Sequence, residues 1–216
     1  MRLGQTSIIY FVSRFLASLL GFGATIYFAR ELGAEPLGIY HLVLGLVSWL
    51  AIAGKVGISG AMKKRVSEGN DQGAFALAGT GLVFVIFVVL AGGLLVFRSP
   101  VESYLGYPAV GFVVLILFVT LSNSIVNSLL IGVHLVHVSG LLSPTKTGGR
   151  ALFQVVAVLA GAGVTGLFLG YIAGYLLVVF IGLVLLSQRI ERPSRPQRHH
   201  VQSLFEYAKF SWLGGL

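Results

Sequence analysis

The segment YFVSRFLASLLGF, residues 10–22, carries one positive charge, Arg14, in an otherwise apolar and small-residue run. A second isolated cation, Lys55, interrupts the next apolar run. An ionisable side chain is costly inside a bilayer, so one that is retained there is a candidate for function. Arginine and lysine bind anions, and phosphate is an anion that membrane lipids carry. We therefore interpret Arg14 and Lys55 as candidate ligands of a phosphate group.

The two cations are expected at nearly the same depth in the membrane. Each lies about seven residues from the cytoplasmic end of its predicted helix, which is roughly 10 Å at 1.5 Å per residue. Steps of three or four residues from each cation trace a small and polar stripe, which favours a water-accessible cavity open to the cytoplasm. The alternative is that the long basic side chains only reach back to the lipid headgroups. From these stripes we predict that Ser18, Thr25, Ser48 and Ser59 line the cavity.

The fourth predicted helix contains a further polar pair. Asn123 and Asn127, in SNSIVNS, are four residues apart and share one helical face. They either line the same cavity and bind a hydroxyl-rich substrate, or they hydrogen-bond to neighbouring helices. No aspartate or glutamate falls within the predicted spans, which favours an anionic ligand as the counter-charge of the two cations.

The composition indicates which elements hold these residues. The chain of 216 residues is 56% hydrophobic and 10% charged, with a mean hydropathy of +0.92. Soluble domains carry about 25% charged residues, and a bilayer is crossed by about 20 apolar residues. We predict an all-α polytopic membrane protein with six transmembrane helices and the start of a seventh. The six are predicted at 7–29, 38–61, 74–97, 109–132, 149–164 and 166–187.

The distribution of lysine and arginine predicts the orientation. Only Arg30 and Arg98 fall in the predicted outer loops. We therefore predict a multi-pass protein of the cytoplasmic membrane with a cytoplasmic N-terminus. The net charge of +8 reflects this topology, and no nucleic-acid partner is expected. Eleven basic residues lie on the other side: Arg2, Lys63, Lys64, Arg65, Lys146, Arg150, Arg189, Arg192, Arg195, Arg198 and Lys209.

The chain divides into three predicted regions. Residues 1–188 form a six-helix transmembrane lobe, 189–204 a basic cytoplasmic linker, and 205–216 the start of helix seven. Because the sequence ends inside an apolar segment, we expect it to be the front part of a longer protein. Its partners would then include a C-terminal lobe or a second copy, besides the lipid bilayer. Gly166, Gly170 and Gly174 recur every fourth residue, as in closely packed membrane helices.

Metal, cofactor and catalytic motifs are not predicted. The chain has no cysteine. His134 and His137 are three residues apart but have no further ligand nearby in sequence, and His199 and His200 belong to the basic loop. The segment SPTKTGG around Lys146 lacks the order of a phosphate-binding loop. We expect no metal, no cofactor and no enzymatic activity.

The segment ATIYFARELGAEPLGIYHLVLGLVSWLAIAGKVGISGAMKKRVSEG, residues 24–69, resembles the start of polysaccharide-transporter flippases. That family belongs to the multidrug, oligosaccharidyl-lipid and polysaccharide exporter superfamily. Residues 151–175 and 203–216 fit the same pattern, so the resemblance covers essentially the whole chain. The matching elements are Ala29-Arg30, Leu32-Gly33, Gly38, Tyr40, Gly57 and Arg65.

The resemblance implies a function and a site. Members of that family have about 12 to 14 helices in two lobes around a V-shaped cavity, an architecture that other transporters share. They move lipid-linked sugars across the membrane by alternating access. The implied substrate is a polyprenyl-phosphate-linked saccharide, whose phosphate or pyrophosphate would be held by Arg14 and Lys55, with Arg30 third.

Two other functions stay open. A cation-coupled drug antiporter of the same superfamily usually needs carboxylates within the membrane, and the predicted spans have none. A non-transport membrane subunit would tolerate loss of both buried cations. A membrane enzyme would need paired carboxylates, a metal cluster or a nucleophile with its base, and no such set is recognisable.

Overall fold

The structure is a computed structural model. It describes residues 3–55, 57–190 and 195–213, with side chains from Phe11 to Lys209 within those ranges. Outside the described residues lie Arg2 and Arg192, two of the basic residues that predict the orientation, and the chain end at 214–216.

Helices account for the secondary structure of the described ranges, because backbone groups inside a bilayer must be satisfied within the protein. The described part contains no strand, and the prediction of an all-α polytopic membrane protein is confirmed. The helices are α1 (Leu3–Leu32), α2 (Ala34–Lys55), α3 (Ile58–Ser67), α4 (Gln72–Val96), α5 (Arg98–Leu105), α6 (Val110–Gly132), α7 (Val136–Leu159), α8 (Gly163–Ser187) and α9 (Arg198–Leu213).

Five of the described helices are long and apolar enough to cross a membrane: α1, α2, α4, α6 and α8. The helix α7 has 24 residues, about 36 Å at 1.5 Å per residue, so it is long enough to cross a membrane. Its sequence is too polar for it to belong to that group. It nevertheless packs along α1 and α8. Five apolar helices of spanning length are thus observed among the described residues, and the predicted count of six spans stays a prediction.

The helices α6 and α8 contribute the most residues to the buried core, and the outer surface is apolar. Phe168 of α8 is fully buried and stacks on Phe112 of α6, with ring centroids 4.9 Å apart. On the outside, Trp49 is 76% exposed and Phe22 of α1 is 67% exposed. Large exposed apolar side chains on long apolar helices are expected where a protein faces lipid.

The second predicted helix, 38–61, is broken in the structure. The helix α2 ends at Lys55, and α3 begins at Ile58. Gly57 between them has φ of 74°, a left-handed conformation that glycine adopts without a steric penalty. Lys55 therefore lies in the last turn of α2, where the helix dipole favours a cation, rather than two turns inside a continuous helix.

The fifth predicted helix, 149–164, is also corrected. The helix α7 begins at Val136, thirteen residues earlier, and includes Pro144, Lys146 and Arg150. Lys146, predicted in the preceding cytoplasmic loop, and Arg150, predicted at the cytoplasmic end of that helix, are thus both part of a longer helix inside the bundle. Without Lys146 and Arg150, nine basic residues remain on the predicted cytoplasmic side and two on the outer side. The orientation of the chain stays a prediction.

The segment leading to the seventh helix is helical earlier than expected. The helix α9 begins at Arg198 rather than near Phe205, so the second half of the predicted linker 189–204 is part of it. It packs against α3 and α4.

Candidate functional site

A polar cavity of about 150 Å³ lies between α6 and α7. Asn123 and Asn127 come from α6, and three polar side chains come from α7. The hydroxyl of Ser139 donates a hydrogen bond to Oδ1 of Asn127, which joins the two helices at one end of the cavity. Asn127 thus both lines a cavity and bonds a neighbouring helix. The polar lining is Asn123, Asn127, Ser139, Ser143 and Lys146.

Three cations gather at and beside this cavity. Lys146 lines it, and Arg150 follows one turn later on α7. Lys55, at the end of α2, lies close enough for its charge and that of Arg150 to repel the charge of Lys146. All three side chains are half-buried, so their charges are less screened than those of surface residues.

The two α7 cations lie over a pair of stacked tyrosines on α8. The rings of Tyr171 and Tyr175 are 4.4 Å apart at an interplanar angle of 14°. Nζ of Lys146 is 5.0 Å from the centre of the Tyr175 ring, and Cζ of Arg150 is 5.6 Å from the centre of the Tyr171 ring. Such cation–π contacts hold the two charges on the α8 side of α7.

A glycine stripe on α8 brings these groups together. A Cβ added at Gly174 would lie 2.6 Å from Cα of Arg150, and one at Gly166 would lie 3.1 Å from Cβ of Ala157. A Cβ added at Gly170 would lie 2.6 Å from Cα of Gln154. The predicted packing role of the three glycines is therefore confirmed: they let α7 and α8 approach backbone to backbone.

One turn after Arg150 on α7, the buried side-chain amide of Gln154 is held by two hydrogen bonds. Nε2 of Gln154 donates hydrogen bonds to Oη of Tyr40 and to the carbonyl of Leu167, both at 2.8 Å. Gln154 is 3% exposed, so these bonds satisfy both of its donor positions. The network ties α2 to the α7–α8 hairpin. A second cavity, of about 80 Å³, lies here between α1, α2 and α7 and includes Arg150.

Of the residues predicted on α1, Thr25 is the one that lines either of these two cavities. The helix packs on α7, where a Cβ added at Gly21 would lie 3.7 Å from the methyl group of Thr147. Thr25 lines the smaller cavity and donates to the carbonyl of Gly21. Arg14 and Ser18 are exposed on the preceding two turns and do not line the polar cavity.

The predicted residues of α2 and α3 are spread along the bundle. Ser48 is exposed, and its hydroxyl donates to the carbonyl of Leu44. Ser59 lies beyond the break, where its hydroxyl is 3.2 Å from that of Ser124 in α6. Arg30 is exposed in the last turn of α1, and among the described residues no ion pair joins it to Glu31 or Glu35. Of the predicted cations, only Lys55 thus belongs to the cluster around the polar cavity.

Lys146 and Arg150 are the site residues that the sequence interpretation missed. The predicted helix 149–164 began after Lys146 and had Arg150 in its first turn, at the cytoplasmic end and away from the predicted cavity. A periodic signal was nevertheless present, because polar residues recur every three or four positions along one face of α7. These residues are Ser139, Ser143, Lys146, Arg150 and Gln154.

Known proteins resemble the chain over its whole length. It is 28% identical over 220 residues to a probable low-salt glycan biosynthesis flippase, Agl15, of Haloferax volcanii, and 29% identical over 217 residues to a probable flippase, AglR, of the same organism. Both alignments include all of this chain and 45% of the relative. No solved structure matches it. The family model described as polysaccharide biosynthesis protein matches residues 3–213, and the chain therefore belongs to that family.

Proposed function

We propose that this chain is one lobe of a flippase that moves polyprenyl-phosphate-linked saccharides across the membrane by alternating access. The observation that carries the proposal is the cluster of Lys55, Lys146 and Arg150 around a polar cavity. Three cations held together in a bundle of membrane-spanning helices favour an anionic ligand.

The surrounding sequence strengthens the preference for an anion. Residues 36–67, 72–101 and 103–190 contain no aspartate or glutamate, so the spans supply no carboxylate to neutralise the cluster. The mutual repulsion of the three charges would be relieved by a bound phosphate. Arginine offers a planar pair of donors to phosphate oxygens, whereas lysine acts as a point charge. Arg150 would therefore orient the phosphate, and Lys146 and Lys55 would add attraction.

The uncharged lining is suited to sugar hydroxyls. The amides of Asn123 and Asn127 and the hydroxyl of Ser143 offer donors and acceptors beside the cations. A lipid-linked saccharide presents a phosphate and hydroxyl groups next to each other, as this lining requires. The printed names of the two relatives, both flippases and one of them for glycan biosynthesis, agree with such a substrate.

Arg14 would act before the cluster. Its place on the exposed part of α1, about two turns before the Gly21 contact, puts it nearer the end of the bundle that is predicted to be cytoplasmic. We propose that it attracts the phosphate at the mouth of the cavity. The cluster of cations argues against the drug antiporter, because cationic drugs would be repelled from it.

The test is binding of a short-chain polyprenyl monophosphate that carries a disaccharide to the chain in nanodiscs. We expect Lys146→Gln and Arg150→Gln each to weaken binding by about tenfold or more, the usual effect of losing a charge-assisted hydrogen bond. The matched control is Arg98→Gln, because Arg98 is paired with Glu102 away from the cavity. The polyprenyl disaccharide without phosphate should bind much more weakly. Wild-type binding by both cavity variants, or equal binding of the two ligands, would contradict the proposal.

A further inference from the structure

The helix α3 lies at one end of the bundle, where two helices of spanning length begin or end. Nε2 of Gln72, the first residue of α4, donates a hydrogen bond of 2.9 Å to the carbonyl of Val66 in α3. A Cβ added at Gly132, the last residue of α6, would lie 2.9 Å from Cβ of the same Val66. Because helices that cross a bilayer end near its polar headgroups, we expect the last turns of α3 at that level.

The helix α9 packs against α3 at the same end of the bundle. His200, Leu204 and Ala208, four residues apart, are 3%, 0% and 4% exposed and form its buried face. Outside that face, Phe205 is 46% exposed and Lys209 is exposed as well. A helix that buries one face and exposes an aromatic and a basic side chain is typical of the membrane surface.

A cavity of about 410 Å³ lies between α3, the end of α6 and α9. Lys63 and Lys64 line it, and both are exposed to solvent. Nζ of Lys64 is 5.3 Å from the centre of the Tyr207 ring, so a cation–π contact holds this charge against α9. The lining residues are Lys63, Lys64, Ser67, Glu68, Ile131 and Tyr207.

The balance of charge in this cavity is positive. Glu68 supplies a carboxylate to the lining, but it is already paired with Arg65 at 3.0 Å. Within the ranges that the structure describes, no ion pair joins Lys63 or Lys64 to a carboxylate, and this includes Glu206 on α9. Two neighbouring lysines without a carboxylate partner favour an anion that offers several oxygens, as a phosphate does.

We propose that the headgroup of an anionic lipid binds in this cavity and joins α3 to α9. Its phosphate would lie against Lys63 and Lys64, and its acyl chains would leave past Ile131 toward the bilayer. A lipid matches both the cations and the apolar edge of the cavity, whereas a dissolved phosphate ion matches only the cations. Basic side chains beside a spanning segment each strengthen the binding of anionic lipid by about fivefold.

This lipid is a resident ligand and not the transported one. Lys63 and Lys64 do not line the polar cavity that includes Lys146, and the two cavities share no lining residue. The bound headgroup would add a contact between α3 and α9 to the packing of the buried face of α9. The proposal therefore goes beyond the proposed transport function and does not rest on it.

Titration of the delipidated 216-residue chain with phosphatidylglycerol, followed by native mass spectrometry, tests the site. We expect one molecule to bind more tightly than phosphatidylcholine with the same acyl chains. Lys63→Gln and Lys64→Gln should each weaken its binding about fivefold, and the double variant about twentyfold or more. The matched control is Arg189→Gln, at an exposed basic residue after the end of α8, which should keep the wild-type affinity. Equal affinity of the wild type and the double variant would overturn the proposal.

Two further measurements locate the lipid. Lys146→Gln should keep the wild-type affinity for phosphatidylglycerol, and a loss as large as that of the double variant would place the lipid at the polar cavity and refute the proposal. In nanodiscs, amides of α9 should exchange with deuterium about fivefold more slowly with phosphatidylglycerol than with phosphatidylcholine alone, with amides of α6 as the reference. A difference that persists in the double variant would contradict a bridge through Lys63 and Lys64. Neither measurement involves a saccharide, so failure here is distinct from failure of the proposed transport function.

Discussion

The backbone of Arg150 in α7 rests on Gly174 of α8, where an added Cβ would lie only 2.6 Å from Cα of Arg150. This approach places the cation over Tyr171 and beside the polar cavity. The position of the charge therefore depends on a residue that has no side chain.

The first prediction concerns that approach. Gly174→Ala should lower the free energy of unfolding by about 1–3 kcal/mol, because α7 and α8 must separate to admit the methyl group. Thermal unfolding in detergent measures the change. Gly92→Ala is the matched control, since no atom lies within 4 Å of a Cβ at that position in α4. Equal stability of the two variants would contradict this account of the stripe.

The second prediction concerns the buried amide. Gln154→Met should lower stability by about 1–3 kcal/mol, because Tyr40 and the carbonyl of Leu167 lose their donor inside the bundle. Tyr40→Phe removes only one of the two bonds and should cost about 0.5–1.5 kcal/mol. Because the two changes break a shared hydrogen bond, the double variant should cost less than the sum. Additive costs in the same unfolding measurement would show that the bond contributes nothing.

The third prediction concerns the break between α2 and α3. Gly57→Ala combines a left-handed backbone with a steric conflict against the Ala208 carbonyl. Gly33→Ala has a similar φ of 84° but open space around the added methyl group. The control should therefore cost about 1–2 kcal/mol for backbone strain alone, and Gly57→Ala clearly more. Faster amide exchange in α9 is expected for Gly57→Ala and not for Gly33→Ala. Unchanged exchange in Gly57→Ala would exclude a direct contact between Gly57 and Ala208 of α9.

The fourth prediction concerns the two cations that the sequence singles out. Arg14→Ala and Lys55→Ala should each lower transport of lipid-linked saccharide by about tenfold or more, without lowering membrane insertion. Transport is followed in vesicles by the access of a membrane-impermeant quencher to a labelled lipid. Arg98→Ala provides the control for a basic residue away from the cavity. Wild-type transport by both variants would remove Arg14 and Lys55 from the mechanism.

The apolar helices could be predicted from the sequence because length and hydropathy suffice to identify them. The predicted span at 109–132 matches α6 within one residue at its start, and the span at 166–187 lies within α8. The stripe of Gly166, Gly170 and Gly174 could also be predicted from the sequence, because a spacing of four residues places them on one helical face.

The polar helix could not be predicted in this way. Pro144, Gly148 and Gly149 favour a loop in an isolated segment, whereas contacts with neighbouring helices satisfy the freed backbone groups inside a bundle. Lys146 was consequently assigned to a cytoplasmic loop, and Arg150 to the cytoplasmic end of the predicted helix 149–164. The break at Gly57 was missed for a related reason, because the contact of Gly57 with Ala208 of α9 joins residues far apart in sequence.

The polarity of α7 also has a consequence for how the protein enters the membrane during synthesis. A lysine or an arginine near the centre of a single helix opposes insertion by about 2.5–3.5 kcal/mol each, so α7 alone would partition poorly into lipid. The following helix α8 is among the most apolar of the chain and contacts α7 along the glycine stripe. We therefore expect α7 to enter the bilayer together with α8, as one hairpin, after α8 has been made.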